Sequence, residues 1–174
     1  MSISEVPPNA VIVPSTWVFK TKDDGTKKSR VVLLGNRMPK ALTAEMETSS
    51  PAPRLTTVRM MLSFAAKYDL DVELIDIKTA FLHAAQSHQI YIQLPPGWRD
   101  RPEFADSSGR PKVALLLKSL YGACDAPAAF YNILRNYLRS QGFRSNPCDP
   151  CLHSVQRDGK QLFVLHDWVD DLLV

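Results

Sequence analysis

Three aspartates stand where a carboxylate could serve as a metal ligand. Asp76 interrupts the apolar run 74–77, and burying an ionised carboxylate there is costly unless it is paired or bound to metal. Asp170 and Asp171 adjoin each other between apolar residues, as in a hairpin whose tight turn carries both acids. Two neighbouring like charges repel, and a divalent cation relieves that repulsion.

The three acids together predict more than each acid alone. Singly, Asp76 is also compatible with a solvated strand end, and the acidic pair with an ordinary surface turn. If the two elements are neighbours, however, the three carboxylates supply the hard oxygen ligands that Mg²⁺ prefers alongside substrate phosphates. Two such ions, roughly 4 Å apart, would activate an attacking hydroxyl and stabilise the leaving oxygen in phosphoryl transfer.

The elements that must position these acids begin with a hairpin. Residues 17–22 alternate in a period of two, Asp-Gly at 24–25 predicts a turn, and residues 31–34 predict the returning strand, with lysines on one face. The first residues, 1–15, predict an extended lead-in, and residues 36–54 a loop.

Two helices follow from apolar stripes at helical spacing. The first stripe runs from Val58 to Ala66, with Thr56 as the expected N-cap. The second helix has Pro127 in its first turn and Gly142 as its stop. Its expected apolar stripe is Phe130, Ile133, Leu134, Tyr137 and Leu138.

The remaining segments predict strands. Residues 72–77 are apolar on both faces and predict a central strand. A short helix is expected at 79–86 and a surface loop at 99–112. Further strands are expected at 90–94, 113–117, 152–155 and 162–165, the last two joined by a turn at Asp158-Gly159. The order predicts an α+β fold, with helices on one side of a mainly antiparallel sheet.

Composition limits the class of protein. The 174 residues are 45% hydrophobic and 22% charged, as in a globular protein, and no apolar run reaches the roughly 20 residues of a membrane span. No signal-peptide pattern is present and the three cysteines are an odd number, so we expect an intracellular protein, neither secreted nor membrane-bound. The net charge is only +3, but basic residues concentrate in 20–40, which favours phosphate binding or, alternatively, a solvated hairpin.

The motifs of the chain resemble the reverse transcriptases of copia-type retrotransposons, from Trp17 to Val174. The matching stretches are Trp17-Val18-Phe19-Lys20, Lys28-Ser29-Arg30-Val31-Val32, Ser50-Pro51, Leu55-Thr56-Thr57-Val58-Arg59, Asp76-Ile77-Lys78-Thr79-Ala80-Phe81-Leu82-His83, Leu94-Pro95-Pro96-Gly97, Lys118-Ser119-Leu120-Tyr121-Gly122 and Val169-Asp170-Asp171. Each stretch is weak evidence alone, but their order and spacing are highly specific.

The resemblance implies a right-hand polymerase, with fingers at 16–54, a ferredoxin-like palm at 55–174 and no thumb. It implies a catalytic triad of Asp76, Asp170 and Asp171 binding two Mg²⁺ ions, with Mn²⁺ as an alternative and the Ile77 carbonyl as a further ligand. The implied nucleotide-binding residues are Lys28, Arg30, Phe81, Tyr121 and Gly122, and those contacting nucleic acid are Lys20, Lys22 and Trp168. Phe81 would exclude a 2′-hydroxyl, unless it is simply a core residue.

The implied activity is RNA-directed DNA synthesis. The implied partners are an RNA or DNA template with its primer, deoxynucleoside triphosphates, and the thumb and RNase H regions of a polyprotein. Because the chain ends three residues after Asp171 and lacks a primer grip, we expect little activity from it alone.

Three residues depart from the family pattern. Trp168 stands in place of the usual Tyr, and Ala84 replaces a Gly. After Tyr121-Gly122 the family commonly has a basic residue and then a short linker, whereas this chain has the acid Asp125 in that segment. The alternative is therefore a catalytically inactive remnant that binds nucleic acid. Cys148, Cys151 and His153 also suggest a zinc or redox site, although structural zinc needs four ligands at suitable spacing.

Overall fold

The chain forms two units, each built on its own β-sheet. A computed structural model describes residues 1–167 and 171–174. The first unit comprises Met1–Thr48 and Phe81–Ala126, and the second comprises Ser49–Ala80 and Pro127–Val174. The expected α+β class is confirmed. Among the described residues, no helix combines the length and apolar character that crossing a membrane requires.

The first unit is organised by a long hairpin. Strand β1 spans Val11–Thr21 and strand β2 spans Lys27–Leu33, and they pair antiparallel. The expected basic face is present, because Lys20 pairs with Lys28 and lies on the same face as Arg30. β1 begins at Val11, earlier than the alternation predicts, since its first residues pair with a strand that is distant in sequence.

That distant strand makes the first sheet mixed. β4 (Ile90–Gln93) runs parallel to the start of β1 and antiparallel to β5 (Val113–Leu115), giving the order β2-β1-β4-β5. The expectation of a mainly antiparallel sheet holds except at this β1–β4 pairing. The interior of the unit is apolar: Val13, Leu33 and Ile90 are almost completely buried.

The second unit holds a five-stranded antiparallel sheet in the order β3-β9-β8-β7-β6. These strands are β3 (Leu74–Asp76), β6 (Arg144–Ser145), β7 (Leu152–Arg157), β8 (Lys160–Asp167) and β9 (Asp171–Leu173). The predicted turn between β7 and β8 is confirmed. Asp158 and Gly159 both have positive φ, 52° and 75°, as a two-residue hairpin turn requires.

The prediction of a central strand at 72–77 is wrong. β3 is short and lies at the edge of the sheet, where its sole partner among the described strands is β9. Its apolar residues are correspondingly open to solvent, with Leu74 81% exposed. An apolar sequence on both faces indicates a buried strand only if elements cover both faces, and the local sequence does not contain that information.

Three α-helices complete the described structure. α1 (Lys40–Glu45) lies where a loop was expected, α2 covers Leu55–Tyr68, and α3 covers Ala126–Ser140. α3 confirms the prediction, with Pro127 in its first turn and Gly142 beyond its end at φ +88°.

The buried face of α3 differs in part from the predicted stripe. Phe130, Leu134 and Leu138 are buried as expected, but Tyr137 is 60% exposed and Tyr131, which the stripe omitted, is buried. Ile133 is 39% exposed.

The start of α2 depends on a residue far along the chain. Arg54, not Thr56, occupies the N-cap and makes no side-chain cap. Instead, the carboxylate of Asp149 accepts hydrogen bonds from the backbone N–H groups of Arg54 and Cys151, both at 3.0 Å, and from the Thr57 side chain. Burial alone would raise the pKa of Asp149, but these hydrogen bonds outweigh it and hold the pKa below the usual value.

We expect Asp149→Asn to lower the free energy of unfolding by about 1–2 kcal/mol. The neutral side chain of Asn would accept weaker hydrogen bonds from the backbone at the start of α2 than the carboxylate does. Since the folded-state pKa is depressed, this contribution is present above the unfolded pKa of about 4 and is lost as pH falls through the folded value. Urea titrations followed by circular dichroism at pH 7 and pH 3 would measure both effects. Asp158→Asn, in an exposed turn that tolerates Asn, is the matched control and should leave stability nearly unchanged.

Candidate active site

Two of the three predicted catalytic acids meet across one pair of strands. Asp76 of β3 pairs directly with Asp171 of β9. In the same ladder, Glu73 and Val174 exchange both backbone hydrogen bonds, each 2.9 Å long. Along an antiparallel ladder, hydrogen-bonded and non-hydrogen-bonded residue pairs alternate. The pair Asp76–Asp171 lies three pairs along the ladder from the bonded pair Glu73–Val174, so it is a non-hydrogen-bonded pair. In such pairs the Cα atoms lie about 4.5 Å apart and the side chains project to the same face.

The two acids line a common cavity. Both are exposed, and they border a space of about 460 Å³ that is otherwise apolar. The other lining residues are Val58, Leu62, Leu74, Ile75, Leu165 and Leu173. The donor set fits a hard divalent cation, because two adjacent carboxylates offer oxygen ligands and their mutual repulsion falls when a cation binds.

The third acid lies outside the described residues, as does Trp168. Asp171 itself is the first residue of β9, so it does not lie in the turn as the sequence suggested. The backbone of Asp167, at the end of β8, pairs with Asp171 from the side opposite Asp76, a position that the sequence analysis did not single out.

The backbone turns sharply after the strand acid. Ile77, whose carbonyl was the further predicted ligand, follows β3 directly, and Thr79 has a φ of +55°. Positive φ is rare for a β-branched residue and costs on the order of 1–3 kcal/mol. Such strain is maintained only when the surrounding structure demands it, and it lies three residues from Asp76.

In the first unit, three of the predicted nucleotide-binding residues form one cluster. The guanidinium carbon of Arg30 lies 4.9 Å from the centroid of the Tyr121 ring. The Tyr121 ring in turn meets Phe81 edge-on, with centroids 4.8 Å apart. Phe81 is 9% exposed, so it is both a packed residue and the neighbour of this tyrosine. The cluster therefore presents a cation held against an aromatic ring, which suits contact with a nucleotide.

Gly122 holds Tyr121 against β2. The N–H of Leu33 donates a 2.7 Å hydrogen bond to the Tyr121 carbonyl. Gly122 has a φ of +85°, and a Cβ there would lie 2.1 Å from the Leu33 carbonyl oxygen. Only glycine allows the backbones at Gly122 and Leu33 to approach this closely, and we call this close approach the Gly122 crossing. The need for glycine at this position therefore has a structural cause that does not involve a ligand.

The basic residues of the hairpin are accessible. Lys28 is exposed and shares a face of β2 with the half-buried Arg30. Lys20 at the end of β1 and Lys22 just beyond it are also exposed. The three lysines are therefore accessible to phosphates, whereas Arg30 is partly covered by its contact with Tyr121.

Asp125, one of the residues that depart from the family pattern, is buried. Asp125 is 5% exposed and accepts a 3.2 Å hydrogen bond from the Gln86 side-chain amide. Its other carboxylate oxygen and the amide oxygen of Gln86 are buried and have no hydrogen-bond partner within the part of the chain that the structure describes. Asp125 is therefore an interior residue and does not offer a charge at the surface.

The alternative zinc or redox site is not supported within residues 1–167 and 171–174, where no three His, Cys, Asp or Glu side chains are placed to hold a metal ion. Cys151 is fully buried whereas Cys148 is exposed. His153 is buried beside Ser145, with 3.1 Å between Nδ1 and Oγ. Burial, followed by the positive field of His166 and nearby arginines, lowers the pKa of His153, as expected for a neutral core histidine.

Comparison with known proteins gives one consistent assignment. A family model described as reverse transcriptase (RNA-dependent DNA polymerase) matches residues 1–174. The retrovirus-related Pol polyprotein from transposon TNT 1-94 of Nicotiana tabacum is 34% identical over 175 residues, covering 98% of this chain and 13% of that protein. Those from transposons RE2 and RE1 of Arabidopsis thaliana are 34% and 35% identical over 176 residues, covering 97% of this chain. They too are far longer proteins, of which the chain spans 11%. No solved structure matches the chain.

The Gly122 crossing gives a test with an internal control. Gly97 and Gly122 have nearly equal φ, +84° and +85°, but nothing lies within 4 Å of a Cβ at Gly97. Gly97→Ala should therefore cost only the backbone penalty of about 1–2 kcal/mol. Gly122→Ala should cost about 1–3 kcal/mol more, because the added methyl group meets the backbone. Urea denaturation compares the two variants, and equal losses would contradict the close approach.

Proposed function

The chain belongs to the reverse transcriptase (RNA-dependent DNA polymerase) family, and we propose that it carries the catalytic core of a copia-type retroelement polymerase. The reaction is template-directed addition of a deoxynucleotide to a primer 3′-hydroxyl. The direct pairing of Asp76 with Asp171 is the observation that carries the proposal. Acids that are far apart in sequence would not be expected to pair in this way in a domain that only binds nucleic acid.

The acids have the role of metal ligands. Asp76, Asp170 and Asp171 would bind two Mg²⁺ ions, or Mn²⁺ in their place, with the Ile77 carbonyl as a further ligand. Bound metal supplies activation of the primer hydroxyl and stabilisation of the leaving pyrophosphate oxygen. The two described carboxylates are held in position by the β3–β9 ladder, so this part of the site depends on backbone pairing.

The Arg30 cluster has the role of nucleotide recognition. Arg30 offers a planar fork for two phosphate oxygens, and its contact with Tyr121 limits the orientations the guanidinium can take. Lys28, on the same strand face, adds a point charge. Phe81 would oppose a ribose 2′-hydroxyl through its bulk, and Gly122 would act indirectly, by letting Tyr121 lie against β2 beside Arg30.

The two units suit the two parts of a right-hand polymerase. We assign the five-stranded sheet with its acids to the palm and the basic hairpin to the fingers. Lys20, Lys22 and Trp168 are assigned to contacts with the template and primer strands. The substrates are then deoxynucleoside triphosphates and a primed RNA or DNA template.

Metal binding tests the acidic pair directly. Asp76→Asn and Asp171→Asn should each weaken Mg²⁺ or Mn²⁺ binding by at least about tenfold, because each removes a charged ligand. Without metal, the same variants should be slightly more stable, with a free energy of unfolding higher by about 0.2–1 kcal/mol. The reason is that directly opposed like charges destabilise a strand pair, and each variant removes one of the two charges. Isothermal titration calorimetry and urea titration measure the two effects.

The control for that experiment is Asp71→Asn, an exposed acid in the same unit. This variant should change neither the affinity for Mg²⁺ or Mn²⁺ nor the free energy of unfolding. If Asp76→Asn binds metal as tightly as the parent protein while nucleic-acid binding persists, the inactive binding remnant is the correct interpretation.

Nucleotide binding tests the Arg30 cluster. Arg30→Ala should weaken binding of a deoxynucleoside triphosphate by about 10- to 100-fold, the usual effect of losing hydrogen bonds to a charged group. Arg30→Lys should recover only part of this affinity, because it keeps the charge but loses the planar fork. Titration with a fluorescent triphosphate gives the affinities, and Arg144→Ala, an exposed arginine elsewhere in the chain, is the control. Equal affinities for the Arg30→Ala and Arg144→Ala proteins would refute the assignment.

A further inference from the structure

Asp125 brings a carboxylate into the interior of the first unit. The residue is 5% exposed, and its Oδ2 accepts a 3.2 Å hydrogen bond from the side-chain amide of Gln86. The other oxygen, Oδ1, is buried and has no hydrogen-bond partner within residues 1–167 and 171–174. Because the Gln86 amide is neutral, this one hydrogen bond does not offset the cost of burying the charge.

Two further side-chain oxygens in this part of the unit are also buried without a partner in the described structure: Oε1 of Gln86 and Oγ of Ser119. The backbone brings these two residues to one face. A β-bridge joins Ala85 to Lys118, and the N–H of Ser119 donates a 2.9 Å hydrogen bond to the Ala84 carbonyl. Residues that flank a bridged pair project to the same face, so the side chains of Gln86 and Ser119 share a face.

The three oxygens together suit a cation. Oδ1 of Asp125 and Oε1 of Gln86 are both acceptors, so they do not satisfy each other and both require a donor or a positive charge. Carboxylate, amide and hydroxyl oxygens are ligands of hard cations. One carboxylate with two neutral oxygens balances a single positive charge, whereas divalent sites draw on further charged ligands such as additional carboxylates or substrate phosphates.

Helix capping does not account for the buried carboxylate. Asp125 immediately precedes α3, a position where aspartate often caps a helix by accepting a backbone hydrogen bond. Here Oδ2 accepts from Gln86, and Oδ1 has no partner among the described residues. The partial positive charge at a helix start amounts to about half an elementary charge, so a full counter-charge is still lacking.

We propose that Asp125, Gln86 and Ser119 bind a monovalent cation, Na⁺ or K⁺, in the interior of the first unit. The cation supplies the positive charge, and Oδ1, Oε1 and Oγ are its side-chain ligands. The site is distinct from the acidic pair, because Asp76 and Asp171 belong to the second unit. It goes beyond the proposed function, since it requires neither a nucleotide nor a divalent metal.

The cation would connect the two segments that carry the contact between Phe81 and Tyr121. Gln86 follows Phe81 by five residues, and Asp125 follows Tyr121 by four. The two rings meet with centroids 4.8 Å apart. We therefore expect the ion to stabilise the fold around the Arg30 cluster without contacting a nucleotide.

Thermal unfolding in different chlorides tests the site. The parent protein is followed by circular dichroism in NaCl, KCl and choline chloride at equal ionic strength, with EDTA present to remove divalent ions. Choline is too large for an interior site, so it supplies ionic strength without occupying the site. Na⁺ or K⁺ at about ten times its dissociation constant should raise the midpoint of unfolding by about 3–6 °C, and the rise should saturate.

Asp125→Asn should abolish the difference between choline and the two metal ions, because it removes the charged ligand. In choline this variant should unfold at the same temperature as the parent protein or higher. The Asn amide can exchange two hydrogen bonds with Gln86, and no buried charge remains. Ser119→Ala should keep the ion dependence but weaken the affinity about 2- to 10-fold, because it removes one neutral ligand.

The control is Asp23→Asn, an exposed acid of the same unit, which should leave the ion dependence unchanged. Equal midpoints for the parent protein in all three chlorides would refute the site, and a buried water would then complete the oxygen cluster. Ion-dependent midpoints that persist in Asp125→Asn would refute it as well.

Sodium NMR reports binding without relying on stability. The parent protein and the Asp23→Asn variant should broaden the sodium resonance equally, whereas Asp125→Asn should broaden it much less. Equal broadening by all three proteins would refute the site. Asp76→Asn should broaden the resonance like the parent protein, so failure of this site and failure of the divalent-metal site can be told apart.

Discussion

Two negative charges held opposite each other on neighbouring strands are the constraint on which the candidate site depends. A non-bonded antiparallel pair brings side chains closer than any other position in a sheet, and Asp76 and Asp171 occupy such a pair. The arrangement is unfavourable for an isolated protein, because each carboxylate raises the electrostatic energy of the other. Exposure to solvent reduces this repulsion. A divalent cation that bound between the two carboxylates would relieve the rest, and the relief would add to its affinity. The ladder thus holds two carboxylates side by side at some expense to the stability of the protein.

β3 lies at the edge of the sheet, whereas β9, which carries Asp171, lies between β3 and β8. The edge position leaves one side of the acidic pair open, which avoids the full desolvation that would favour neutral acids. At the edge, Asp76 reaches solvent and an open cavity. The cost is a row of exposed apolar side chains, of which Leu74 is the clearest.

The hairpin in the first unit shows how strand periodicity can serve two kinds of chemistry with one pair of strands. One face carries Lys28 and Arg30, and the crossing at Gly122 brings Tyr121 against Arg30. The other face carries Trp17 and Phe19. A shift of the register by one residue would exchange the two surfaces, so the pairing of Trp17 with Val31 determines both.

The amino-acid sequence by itself determined the family, the α+β class, the hairpin turns at Gly25 and Gly159, and helix α3, because these depend on local spacing and on motifs in order. It also singled out Asp76 and Asp171, although nothing local stated that they would pair. Only the tertiary structure decided that β3 is an edge strand, that Asp149 caps a helix about a hundred residues before it, and that Trp98 joins Trp17. Each of these depends on contacts between segments distant in the chain, and periodicity within one segment does not show which other segment will cover it.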